Sequence, residues 1–173
     1  MAELQAQPRI AQRIARGDPD YPVILSARLG ERTPSALAAI GRVILLAHRK
    51  TALFCSAGAP GDMLPRALDA VRTMRDNGAT VISGFHSPFE KECLRILLNG
   101  RQPIIICPAR AIQTMRIPPD CCPAFEAGRL LFLSPFGGPL RRVDRDSATK
   151  RNELVAALAD EAFLPHVSPG GLT

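Results

Sequence analysis

The sequence predicts an α/β fold: a doubly wound, mainly parallel sheet behind a small helical N-terminal extension. Three observations predict it. From residue 51 onward, short apolar runs alternate with segments whose apolar residues recur at helical spacing. The connections are short and rich in Gly, Pro, Ser and Asn, as crossovers in a parallel sheet require. The composition is globular: 46% hydrophobic and 22% charged residues over 173 positions exclude wholesale disorder and suit one such domain.

Thr51–Ser56 is the first apolar run, and it ends in the turn-rich Ala57-Gly58-Ala59-Pro60-Gly61. Met63, Leu64, Ala67, Leu68, Val71 and Met74 then repeat with helical period, and Asn77-Gly78 supplies a stop. Ala79–Ser83 is the next strand, ending at Gly84. Ser87-Pro88-Phe89-Glu90 opens a helix, with Ser87 as N-cap, proline at the first position and Glu90 completing a capping box. Phe89, Cys93, Ile96 and Leu97 form its apolar face, and Asn99-Gly100 closes it. Pro103–Cys107 is a third strand. Residues 108–129, with their prolines, read as a long crossover containing at most one short helix. Leu130–Leu133 is a fourth strand, Ser147 to about Ala159 a helix, and Ala162–Val167 a last strand before Ser168-Pro169-Gly170-Gly171.

Residues 1–50 follow a different pattern. Leu4–Ala15 is weakly amphipathic, Tyr21-Pro22 breaks the chain, and Thr33-Pro34 caps a short helix ending near Gly41. The expected organisation is therefore a helical extension over 1–50 and an α/β domain over 51–173.

Apolar runs such as Val43–Ala47 and Ile104–Cys107 are far shorter than the roughly 20 residues a bilayer-spanning helix needs, so no membrane partner is expected. The N-terminus lacks a basic patch followed by an apolar core, which points to the cytoplasm. The five cysteines contain no CxxC pair, and ligand-like spacing with His48, His86 and His166 is absent. Buried free thiols, with no metal and no cofactor, are the expectation.

The net charge of +6 is compatible with a polyanionic partner but does not specify one. Residues 1–50 hold eight Lys/Arg against four Asp/Glu, while 51–100 balance. The densest basic cluster is Arg141, Arg142, Arg145, Lys150 and Arg151. Only Lys50, Lys91 and Lys150 are lysines; arginine suits phosphate through its bidentate fork, and a GC-rich genome produces the same bias.

In a parallel sheet, ligands bind outside the carboxyl ends of the strands. Those ends here are rich in Ser, Gly and Pro and poor in acids. Helix N-termini after Ser56 and Ser83 would aim backbone N–H groups at an anion, so phosphate is the natural ligand class. Neither a Walker A lysine nor GxGxxG is present. His86 could donate to a phosphate. Ser87 and Glu90 are accounted for by helix capping, and Glu90 would repel an anion there. No nucleophile–base pair emerges, so no catalytic residue is assigned.

Three blocks together resemble the DprA/Smf family of DNA-processing proteins, within the Rossmann-like SLOG superfamily. Ser83-Gly84-Phe85-His86-Ser87-Pro88-Phe89-Glu90 is similar to the family's SG-x-A-[RK]-GID turn, with Ser83 and Gly84 matching and Glu90 at the aspartate. Arg151-Asn152-Glu153-Leu154-Val155-Ala156-Ala157-Leu158 resembles the RNRIIAGL helix, and Leu131–Ser134 the strand reading LLSE. Thr51–Ala57 occupies the place of the VAIVGSR strand and turn, with Cys55-Ser56-Ala57 where GSR stands. Tyr21-Pro22 and Pro34…Leu37…Gly41 are similar to YPxxL and PxxLxxxG, so the likeness runs from about 21 to 171.

The resemblance implies non-catalytic binding of single-stranded DNA or nucleotide phosphates, with a RecA-type recombinase and a second copy of the chain as further partners. By position it implies Ser56, Ser83, Gly84, Arg151 and Asn152 as the anion pocket. Gly58, His86, Ser87 and Lys150 join them from loop placement and charge. Glu153 reverses the second arginine of RNR. Two other readings stay open. Phe54-Cys55-Ser56-Ala57-Gly58 and Pro169-Gly170-Gly171 resemble loops of the cytokinin-activating phosphoribohydrolases, which process nucleotides, and a nucleotide-sensing module fits the same features.

Overall fold

Alternation along the strands sets the architecture. The computed structural model describes residues 10–56, 61, 63–138 and 143–167. Its elements in chain order are β1 (Gln12–Ala15), α1 (Ile24–Leu29), β2 (Ala36–Gly41), β3 (Lys50–Leu53), α2 (Leu64–Asp76), β4 (Thr80–Ser83), α3 (Pro88–Leu98), β5 (Ile104–Ile106), α4 (Cys122–Glu126), β6 (Leu130–Ser134), α5 (Arg145–Leu158) and β7 (Glu161–Phe163). Short 3-10 turns at Gly30–Arg32, Val43–Ala47 and Pro119–Cys121 link them.

The seven strands form one sheet in the order β1-β2-β6-β5-β4-β3-β7. From β6 to β7 every pairing is parallel. Successive residues of one strand face opposite layers. Leu53, Val81, Ile104, Ile106, Leu130 and Phe132 pack beneath α2, α3 and α4. Ala52, Ile82, Ile105, Leu131 and Leu133 pack beneath α1 and α5. A strand covered on both faces needs a continuous apolar run, which is why Ile104-Ile105-Ile106 and Leu130–Leu133 are legible as strands. Between β3 and β4 the chain winds one way and between β6 and β7 the other. The order of the sheet therefore reverses at β3, the place where doubly wound proteins open a crevice for ligands.

The N-terminal region departs from expectation. Helix is confined to α1 and the short turns, and the helix expected after Thr33-Pro34 is strand β2 instead. β2 runs antiparallel to β6, pairing Ala38 with Ser134 and Ile40 with Phe132, and β1 pairs antiparallel outside it. Ala36-Leu37-Ala38-Ala39-Ile40 has low intrinsic strand preference, but all of it from Leu37 to Gly41 is buried, and burial on both faces overrides propensity. Gly41 makes the pairing possible. Its φ is +113°, and a Cβ there would lie 2.4 Å from the Leu130 carbonyl oxygen. Two of the seven strands thus come from the segment before residue 50.

α3 begins as its sequence predicts: Ser87 Oγ accepts from the Glu90 N–H, and the Glu90 carboxylate accepts from the Ser87 N–H. α5 begins earlier than expected, at Arg145, because Asp144 is the N-cap and Ser147 is its partner three residues on. Among the described residues, no helix is long and apolar enough to cross a membrane.

Candidate functional site

Topology puts the crevice above the carboxyl ends of β3, β4 and β5, and α5 packs against β3 and β4 beside it. Arg151 is the only buried cation α5 sends toward the sheet. Leu154, Val155 and Leu158 anchor the helix on its apolar layer, and Arg151 shares that inward face one turn nearer the crevice. It is 6% exposed, and its Nη1 donates to the Cys107 carbonyl at 3.3 Å, at the end of β5. Its Nε donates to Asn152 Oδ1 at 2.6 Å.

Gly84 explains how the guanidinium fits. A Cβ at Gly84 would stand 1.3 Å from Arg151 Nη1 and 2.1 Å from Cζ. The glycine is therefore a seat for the guanidinium, not a flexible joint. Burial pulls the pKa of Arg151 below its ordinary value, while the Glu90 carboxylate and the Cys107 thiol nearby favour the charged form.

Glu90 is the second buried charge. One carboxylate oxygen accepts from the Cys55 N–H at 3.1 Å, at the end of β3. The other accepts from the N–H groups of His86 at 2.8 Å and Ser87 at 3.2 Å. Phe85 aims those two donors: it has φ +46°, the left-handed region, and it is buried in the layer beneath α3. The Ser83 hydroxyl steadies the turn by accepting from the Phe85 N–H at 3.2 Å. Burial is the main cause raising the Cys55 thiol pKa, with the Glu90 charge adding to it.

The expected residues are placed as follows. Gly84, Arg151 and Asn152 come together, with Ser83 enclosed at the same strand end. Ser56 continues β3 and donates its N–H to the His166 carbonyl at 3.1 Å, across the point where the sheet reverses. Ser87 caps α3 at the crevice floor. His86 is exposed, and only its backbone N–H turns inward. Lys150 points away from Arg151 into an exposed ion pair with Asp146 at 2.8 Å. Gly58, Arg141 and Arg142 lie outside the described residues. Glu153, the reversed charge, pairs with Arg32 of the first 3-10 turn. Sequence reasoning missed the reach of Glu90 to β3; its capping role was legible, but the second oxygen's partner belongs to a neighbouring strand. Among the described residues there is no group of three or more His, Cys, Asp or Glu that could hold a metal. A separate cavity of about 320 Å³, lined by Met115, Arg116, Ile117, Cys122, Phe125 and Glu126, shares none of these residues.

A doubly wound sheet with an arginine seated on a glycine at the strand ends, and an antiparallel pair of strands added at one edge, defines a Rossmann-like protein with a polar crevice. The solved structures it resembles are specific: its fold is that of DNA processing protein A. The Streptococcus pneumoniae protein superposes with a TM-score of 0.71 at 17% identity, over 89% of this chain and 53% of that one. The Helicobacter pylori protein, whose structure addresses its single-stranded DNA binding mode, gives 0.65 at 20% identity over 83% of this chain and 65% of that one. The chain thus spans between about half and two thirds of these neighbours. No family model and no curated protein sequence matches it.

Proposed function

We propose that this protein binds single-stranded DNA along the carboxyl-end rim of its sheet, without chemistry. The observation that carries the proposal is the polar cluster at the strand ends, with Arg151 seated on Gly84 beside the β4–α3 turn, in a fold shared with a protein described as binding single-stranded DNA. Arg110 after β5 and Arg145 at the start of α5 are exposed at this rim, and neither is in an ion pair among the described residues. Exposed guanidinium groups of this kind hold phosphates through paired N–H donors. Binding without catalysis suits a crevice whose two buried charges face backbone groups and each other. On the same reading the protein acts in the cytoplasm, self-associates, and hands its bound strand to a RecA-type recombinase.

The test is the mobility of a labelled oligonucleotide in the presence of the full chain. Binding should weaken steeply with salt, since each phosphate contact releases a counterion at a slope of about −0.7 per contact on single strands. Unchanged mobility at low salt with micromolar protein overturns the proposal. Release of free base from a nucleoside monophosphate would replace it with the phosphoribohydrolase reading.

A further inference from the structure

Three backbone N–H groups, from Cys55, His86 and Ser87, converge at the base of the crevice from two different strand ends. Converging N–H groups at a helix start form a cradle for a phosphate or carboxylate oxygen. Here both oxygens of a side chain of this chain already occupy it. Glu90 is 6% exposed, and the positive charge of Arg151 lies close enough for the two to interact. Helix capping accounts for the Ser87 contact but not for the Cys55 N–H, which lies just past the carboxyl end of β3 and would need no carboxylate if the cradle served only to start α3.

We propose that Glu90 determines which ligands the crevice accepts: its carboxylate fills the strand-end cradle and keeps phosphate out of it. The inference rests on the single-strand reading above and refines it. A phosphate entering the cradle would have to displace a buried carboxylate and take over its three donors. A nucleotide with a terminal phosphate is therefore refused at the crevice base. A DNA strand is held by phosphates that stay at the rim, with Arg110 and Arg145, and its bases or sugars face the crevice.

The experiment compares the wild-type chain with Glu90→Ala, using inorganic phosphate as the probe. Phosphate should raise the melting temperature of Glu90→Ala by clearly more than that of the wild type, whose rim arginines and general salt response set the baseline, because a ligand bound only to the folded state stabilises it. Phosphate affinity should rise by roughly tenfold or more in the variant, which corresponds to about 1.4 kcal/mol. A folded Glu90→Ala chain that gains no phosphate affinity overturns the inference.

Should Glu90→Ala fail to fold, the wild type alone decides. Its His86 and Ser87 amide resonances must stay fixed during a phosphate titration, and movement of either overturns the inference. The oligonucleotide arm is separate. Wild-type DNA binding combined with no phosphate gain in the variant sinks this inference and leaves the function standing. A phosphate gain without wild-type DNA binding does the reverse.

Discussion

Replacing Gly84 with alanine tests the central packing of the site. The new Cβ would stand 1.3 Å from Arg151 Nη1 and 2.8 Å from Nε, so the guanidinium must leave its seat. Gly84 is not among the glycines with positive φ, so alanine meets no backbone strain and the whole penalty arises from Arg151. Moving the guanidinium breaks its bond to the Cys107 carbonyl, and an unpaired buried carbonyl costs about 1–3 kcal/mol. Separating it from the Glu90 charge adds to this, for a total of about 3 kcal/mol. In a domain of this size each kcal/mol moves the melting temperature by roughly 2–4 °C, so a fall of about 6–12 °C is expected.

A double-mutant cycle isolates the cause. With Arg151→Ala already present the clash has no partner, and adding Gly84→Ala should change stability by no more than about 0.5–1 kcal/mol, in the stabilising direction. Urea unfolding followed by circular dichroism measures all four corners of the cycle. An equal cost for Gly84→Ala in both backgrounds would refute the seat as the reason for the glycine.

Gly41→Ala should be more damaging, because the clash is with the Leu130 carbonyl oxygen and φ is +113°. A cost above about 3 kcal/mol and poor soluble expression are expected, and wild-type melting would refute the account of β2. Burial holds the Cys93 and Cys107 thiols up at about 12 and Cys121 at about 11, against an ordinary 9.0. Near neutral pH Ellman's reagent should therefore titrate Cys122 quickly and the other four only after unfolding, and a second fast thiol would contradict that. The sign for stability follows from the same shifts. The fold favours the protonated thiols, so their contribution is complete below the ordinary value and disappears as pH climbs toward about 12, which an alkaline melting series would show.

What the sequence revealed depended on how local each signal was. The start of α3 was fully legible because Ser87, Pro88 and Glu90 act on one another within a single turn. β4, β5 and β6 were legible because burial on both faces leaves unbroken apolar runs. β2 was not, since its alanines prefer helix and only the partner β6, far along the chain, makes a strand of them. At the site, likeness to a known motif pointed to Gly84 and Arg151. That one is the seat of the other required the packing of α5 over the ends of β4 and β5. The reach of Glu90 to Cys55 was hidden for the same reason: it exists only because β3 and β4 lie side by side in register.

The antiparallel pair β1 and β2 also imposes an order of events during synthesis. Both strands leave the ribosome early and can pair with each other, Ala38 with Arg13, yet the other edge of β2 stays open until Ser134 has been made. In that interval Leu37 and Ile40, buried in the finished fold, lack their covering layers on a two-stranded ribbon with one open edge, the kind of edge that seeks neighbouring chains. The parallel core from β3 to β6 can assemble first, since its crossovers are short in sequence. The β1–β2 pair, made before the parallel core, is thus among the last parts to dock, and the window for misassembly is set by the time needed to translate the sheet in between.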